Sequence, residues 1–254
     1  MRAEPGATLV GAPQEFAGQL SARGFRVIVD AKSLDRETAQ QLGDTKTSLS
    51  APASATACAG GFAGPFPCDN VDLVAHVANR SSTASGADIW GFVDLNTNRE
   101  YALMGYSTGT AVYDVSDPEH PREVGFVDGQ RTTWRDIKIY QFWNESAGRY
   151  HACAYVTADN ASDGLFVLDL TELPHRISRV NYSGDFAEAH NVYMTKTDFS
   201  TGLALTNDAP VLVIAGSNRD YGRFRLYSLE DPRAPAFIAR PATPSDQPAG
   251  NRLY

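Results

Sequence analysis

The sequence predicts an all-β fold assembled from a repeated four-stranded unit, and three observations carry that prediction. One phrase occurs three times: Gly109-Thr-Ala-Val-Tyr-Asp-Val-Ser-Asp-Pro118 returns as Gly164-Leu-Phe-Val-Leu-Asp-Leu-Thr-Glu-Leu-Pro174 and again as Gly222-Arg-Phe-Arg-Leu-Tyr-Ser-Leu-Glu-Asp-Pro232. Glycine enters and proline leaves a short apolar strand at a near-constant period, which marks a repeat architecture. From Val71 onward, short runs rich in Val, Ile, Tyr and Phe are bounded by Gly, Asn, Asp and Pro, the pattern of antiparallel strands. After residue 45 no segment has convincing helical character.

Residues 1–57 stand outside the repeats, as a short α/β or irregular N-terminal extension. Phe25–Val29 reads as a strand, Ser33–Leu42 as a short helix capped by Ser33, and the Ser/Ala/Thr-rich stretch 45–56 as a linker. The remainder, 58–254, divides into groups of four strands. The first group is 88–93, 100–106, 110–115 and 123–127; the second is 135–140, 150–156, 165–170 and 177–180. The third is 190–194, a less regular stretch within 202–214, then 223–228 and 236–239. Four strands per repeat fit β-propeller blades, with approximate bounds 71–127, 134–180 and 189–240. An immunoglobulin-like sandwich would leave the internal period unexplained.

Bulk properties exclude some function classes. The net charge of −8 and the scattered placement of 22 basic residues exclude a nucleic-acid surface, which needs clustered Lys and Arg. No stretch reaches the ~20 apolar residues of a membrane-spanning helix. The opening residues lack the apolar core of a signal peptide.

Cysteines and sequons point outside the cell. Cys58 and Cys68 flank a Gly/Pro-rich loop with little means of holding a shape alone. A disulfide is expected there, the alternatives being two free thiols or part of a metal site. Such a bridge adds about 2–3 kcal/mol in the chain-entropy model. Cys153 lies mid-strand and reads as a small buried hydrophobe. Asn79, Asn144, Asn160 and Asn181 each begin an Asn-x-Ser sequon in a polar connection, where a glycan would be solvated. Together these favour an oxidising setting, secreted or at the cell surface, and the missing signal peptide leads to the expectation of an incomplete gene product.

Candidate site residues follow the repeat. Asp88-Ile89, Asp136-Ile137 and Asn191-Val192 occupy matching places, with Arg135 and His190 as neighbours. In a propeller the first strand of each blade is innermost, so these polar residues would ring one mouth of a central channel. There they either bond nearby backbone where the chain enters a strand, or bind a ligand or cation. Gly105-Tyr-Ser107-Thr-Gly109 matches a nucleophile elbow, but the second glycine leads into another strand rather than a helix, so a hairpin is expected. Asp159-Asn-Ala-Ser-Asp163-Gly164 has some calcium-loop character, yet Leu170 stands where an EF-hand needs its bidentate Glu. A tight turn is expected, and no cofactor, with calcium the alternative. The five histidines show no metal-binding spacing.

The segment Cys58-Ala-Gly-Gly-Phe-Ala-Gly-Pro-Phe-Pro-Cys68-Asp-Asn-Val-Asp-Leu-Val-Ala-His76 resembles the corresponding segment of the choice-of-anchor B proteins, which carry LVIVD repeats. The likeness continues in order through Asp88-Ile-Trp-Gly91, Arg99-Glu-Tyr-Ala-Leu103, Gly109–Pro118, Trp134-Arg-Asp-Ile-Lys138 and Ala189-His-Asn-Val192, covering roughly Cys58 to Ala239. The resemblance implies a secreted or surface-displayed β-propeller held by a C-terminal anchor, and transfers no activity. Relatives continue through more repeats, so the chain looks like a member truncated after about three blades.

The sequence therefore leads to an extracellular binding module for a protein, a glycan or a surface component. The alternative is a metal-dependent hydrolase or lactonase-like propeller, its metal held by Asp88, Asp136, Asn191 and His190. A third reading is a fragment with no activity of its own. Three blades do not close a ring, so self-association through open faces is expected.

Overall fold

The computed structural model describes residues 8–10, 26–28, 55–81, 84–182 and 184–241. The chain forms two compact units, Met1–His76 and Val77–Tyr254.

In the first unit, strands β1 (Thr8–Val10) and β2 (Arg26–Ile28) pair in parallel. β2 falls within the strand expected at Phe25–Val29; the helix expected at Ser33–Leu42 lies outside the described residues. Cys58 and Cys68 form the expected disulfide. It encloses a hairpin of β3 (Phe62–Ala63) and β4 (Phe66–Pro67). Gly64 turns this hairpin at φ +60°, a conformation that side-chain-bearing residues resist. Beyond the ring, Thr56 and Leu73 exchange backbone hydrogen bonds of 2.7 and 3.0 Å, and the Phe66 ring packs on His76.

The second unit holds three four-stranded antiparallel sheets, each with its strands in chain order. The first sheet comprises β5 (Gly86–Val93), β6 (Glu100–Tyr106), β7 (Gly109–Asp114) and β8 (Arg122–Asp128). The second comprises β9 (Ile137–Asn144), β10 (Arg149–Val156), β11 (Phe166–Asp169) and β12 (Ser178–Arg179). The third comprises β13 (Asn191–Met194), β14 (Val211–Ala215), β15 (Arg225–Ser228) and β16 (Ala236–Ala239). The expected strands fall on these elements except within 202–214, where strand is confined to β14. Asp198 accepts backbone hydrogen bonds from Ser200 (3.1 Å) and Thr201 (2.8 Å), and Gly202 adopts φ +74°. The chain therefore turns where the apolar run Leu203-Ala204-Leu205 had promised extension.

The repeated phrase ends its strand in the same way in all three copies, while its opening glycine meets two different needs. Gly164 and Gly222 hold φ of +65° and +77° ahead of their strands. At the strand ends, Asp114, Asp169 and Ser228 each accept the backbone N–H two residues on, at 3.1, 2.9 and 3.2 Å. These side-chain turns release the chain from the sheet before the proline. Gly109 answers to space instead. A Cβ there would overlap the Val127 carbonyl oxygen and lie 3.1 Å from the Asp128 Cα. Gly109→Ala is therefore expected to destabilise the protein by about 2–3 kcal/mol, as overpacking against backbone does. Chemical denaturation of the two proteins checks this, and an unchanged midpoint contradicts it.

Strand pairing sorts the sheet faces into equivalent rows. One row runs Trp90–Leu103–Val112 in the first sheet, Lys138–Tyr155–Val167 in the second and Tyr193–Val213–Leu226 in the third. The opposite row runs Ile89–Met104–Ala111, Ile137–Val156–Phe166 and Val192–Ile214–Arg225. Leu103 and Val112 pack with Ile137, Val156 and Phe166 in one core. Tyr155 and Val167 pack with Val192 and Ile214 in the next. The first and second sheets thus each set their first row against the second row of the next sheet. The buried aliphatic and aromatic side chains contribute roughly 1.5–3 kcal/mol each, which makes these two layers the main source of stability.

Candidate functional site

The polar residues singled out by the repeat meet where the first strands β5, β9 and β13 adjoin. Two of them link one sheet to the next. Asp88 accepts the Ile137 N–H at 3.4 Å, across from the first sheet to the second. One repeat later, Asp136 accepts the Val192 N–H at 2.8 Å and the Asn191 side-chain amide at 3.1 Å, across from the second sheet to the third. The other Asp136 oxygen takes the Ile137 N–H and the Lys138 ammonium, both at 2.7 Å. Backbone bonding was one of the two roles expected for these residues. Its target is the neighbouring sheet, across 49 and 56 residues of sequence.

The two carboxyls respond differently to this placement. Burial raises the Asp88 pKa, and the adjacent Asp136 carboxylate raises it further. Burial acts on Asp136 in the same sense, but the Lys138 ammonium and the Val192 N–H outweigh it and hold this carboxyl below its ordinary value. Lys138 also lies 4.1 Å over the Trp90 ring, so its charge is shared between a carboxylate and an aromatic face.

Arg135 is fully buried. Its Nε donates to the Tyr106 carbonyl at 2.9 Å, and Nη2 donates to the Gln130 carbonyl at 2.6 Å and to Asp163 at 3.1 Å. This guanidinium therefore joins the first sheet's hairpin to the loop before β11. His190 stacks on Trp134 at 5.4 Å, and its Nδ1 lies 3.1 Å from an Asp159 carboxylate oxygen. The two acidic ends of the Asp159–Gly164 stretch are thus committed to His190 and Arg135. Among the described residues, no group of three His, Cys, Asp or Glu side chains is placed to hold a metal ion.

Ser107 sits in the two-residue hairpin between the paired Tyr106 and Gly109, and its hydroxyl accepts the Ser85 N–H at 3.2 Å. Asn79, Asn160 and Asn181 are exposed, whereas the Asn144 carbonyl oxygen accepts the Ala147 N–H at 2.9 Å. Cys153 is fully buried, and burial pushes its thiol up to about 12.

Gln141 was not foreseen. It is fully buried in β9, donates to the Val93 carbonyl at 2.7 Å and to the Thr201 carbonyl, and accepts the Leu95 N–H at 3.1 Å. Its own N–H goes to the Gly202 carbonyl at 3.0 Å, while the Val93 N–H goes to that of Ser200 at 2.8 Å. The β13–β14 loop consequently lies along β5 and β9. A single glutamine in an alternating strand gives no sequence signal for this role.

Two of the open clefts among the described residues are mainly polar, and the first shares Asp163 with the Arg135 linkage. This first cleft, of about 380 Å³, is lined by residues including Ser162, Tyr182, Asp185, Phe186 and Arg219. The other, of about 500 Å³, carries Arg99, Asp114, Asp117, His120 and Arg122. In it Asp117 holds the exposed His120 above its ordinary pKa, and His120 lowers Asp117 in return. Comparison of the chain with family models, with curated proteins and with solved structures finds no match.

Proposed function

We propose that the chain is a β-propeller segment of the LVIVD-repeat, choice-of-anchor B type, acting outside the cell as a binding module. The observation that carries this reading is the use of one sheet design three times. Equivalent rows face one another, and the polar residues at the first strands are engaged in joining sheets. A hydrolase in the channel would need those carboxylates for metal or substrate. Asp136 instead already receives four donors, and the β13–β14 loop runs along the strands that would line the channel. The disulfide and the exposed sequons support an oxidising setting.

The cleft at Tyr182 and Arg219 is the better equipped for a ligand. It offers aromatic surface, the Ser162 hydroxyl and the Arg219 guanidinium, whose Nε donates to the Asp185 carbonyl at 2.8 Å, while the Asp185 carboxylate is taken by Arg225 and Tyr227. Aromatic surface beside forked donors and a hydroxyl suits a sugar ring carrying acidic or hydroxyl substituents. Labelled protein on a glycan array is expected to show saturable binding to a subset of glycans, weakened at least tenfold by Arg219→Ala. Metal-dependent turnover of ester or lactone substrates, without array binding, would overturn the reading.

A further inference from the structure

One buried cation departs from the repeat. The second rows of the first two sheets end on the apolar Ala111 and Phe166, yet the third sheet carries Arg225 at that place, 6% exposed. Its Nη1 donates to the Asp220 carboxylate, its Nη2 to that of Asp185 and its Nε to the Tyr227 hydroxyl at 3.0 Å. Tyr227 in turn donates to Asp185. A buried ion pair adds little stability over well-packed apolar residues, so its presence in this row points to a geometric role. The turn it holds is unfavourable on its own. Asp220 and Tyr221 stand at φ +50° and +60°, left-handed conformations that non-glycine residues resist. By gripping the Asp220 carboxylate, Arg225 fixes this turn directly after Arg219.

We propose that Arg225 is the positioning residue of the Tyr182–Arg219 cleft, locking both of its walls so that the Arg219 guanidinium faces a sugar carboxylate. One wall is the Gly184–Ala187 segment, and the other is the turn that begins at Arg219. Asp185 ties the first wall to Arg225 through its carboxylate and to Arg219 through its carbonyl, which accepts Nε at 2.8 Å. Ala187 donates its N–H to the Asn218 side chain at 3.0 Å, again from wall to wall. The acids of the cleft are already engaged, Asp185 by Arg225 and Tyr227, Asp163 by Arg135. The charge presented to a ligand is therefore the Arg219 cation, whose planar fork matches a carboxylate bidentately. Tyr182 donates its hydroxyl to the Pro235 carbonyl at 2.8 Å, which fixes its ring as a face for the sugar. The carboxylate assignment rests on the glycan reading of the cleft; the hold of Arg225 on the walls does not.

The test uses the full chain, the variants Arg219→Ala, Arg225→Met and Arg225→Lys, and two probes, methyl glucuronide and methyl glucoside. The probes differ in carrying a carboxylate or a hydroxymethyl group. In NMR titrations the unaltered protein is expected to bind the glucuronide at least tenfold more tightly. Arg219→Ala and Arg225→Met are each expected to lose that preference while keeping the circular dichroism spectrum of the unaltered protein. Arg225→Lys is expected to keep a reduced preference, since one ammonium does not span two carboxylates as the fork does. Amide exchange at Ala187 and Gly222, one on each wall, is expected to quicken at least tenfold in Arg225→Met. Equal affinity for the two probes, or a full preference in either Arg225 variant, would overturn the proposal. Binding of neither probe would defeat the glycan reading and the carboxylate with it. The exchange rates then decide the role of Arg225: acceleration on both walls supports it, and unchanged rates would refute it.

Discussion

Asp136→Ala is expected to lower the stability of the Val77–Tyr254 unit by about 3–5 kcal/mol, the cost of removing one partner of a buried ion pair. On a unit of this size that is a fall in Tm of about 10 °C. The substitution strips the Val192 N–H and the Asn191 amide of their acceptor and leaves the nearly buried Lys138 ammonium without its carboxylate. Asp88→Asn is the control at the equivalent place. The Asp88 pKa is raised in the fold, so the fold pays for ionising this group. That penalty is absent at pH values below the unfolded pKa of about 3.9 and fully present above the folded pKa. Asp136 has the opposite sign: its contribution is present above about pH 3.9 and is lost as pH falls through its lowered folded pKa. Asp88→Asn should therefore leave stability unchanged or raise it at pH 7, with the gain vanishing toward pH 3, and melts across that range follow both variants. Equal losses at pH 7 from Asp88→Asn and Asp136→Ala would contradict the asymmetry.

Arg135→Ala is expected to cost roughly 3 kcal/mol, since it strips the buried Asp163 of its nearer guanidinium and leaves it Arg179 at 3.9 Å. The carbonyls of Tyr106 and Gln130 lose their donors as well. Arg135→Lys is expected to recover less than half of that loss. An ammonium on a flexible stem is a point charge, whereas the planar guanidinium reaches three acceptors in fixed directions. Urea titrations of the three proteins measure the difference. Full recovery by lysine would show that charge alone, rather than the fork, holds the hairpin to the β11 loop.

The strands were legible because alternation and turn residues are local signals. Glu100–Tyr106 and Ala236–Ala239 have the bounds that period-two patterning gives. The match of Asp88, Asp136 and Asn191 was legible too, since it recurs with the repeat. The partners of these residues were not. A bond from Asp136 to Val192 depends on how one sheet lies against the next, and nothing near either residue encodes that distance. Gln141 and Lys138 were missed for the same reason: each acts between sheets, while its sequence neighbours show only an ordinary strand. The β13–β14 loop misled in another way. Leu203-Ala204-Leu205 is apolar enough to read as strand, yet Leu205 is 66% exposed, and Leu203 and Ala204 make isolated bridges to Gln141 and Thr197 in place of a strand. Asp198 and Gly202 decide the local path there, and their turn chemistry outweighs the apolar run.

The central claim is that first-strand carboxylates tie successive sheets into one cooperative body. Residue-resolved amide hydrogen exchange tests it most directly, at Ile137 and Val192. The claim predicts that both amides exchange only through global unfolding of the Val77–Tyr254 unit, and that Asp136→Ala speeds Val192 at least tenfold beyond Leu103 in the first core. Rapid exchange of Val192 in the unaltered protein, or equal acceleration of Val192 and Leu103 in the variant, would contradict it.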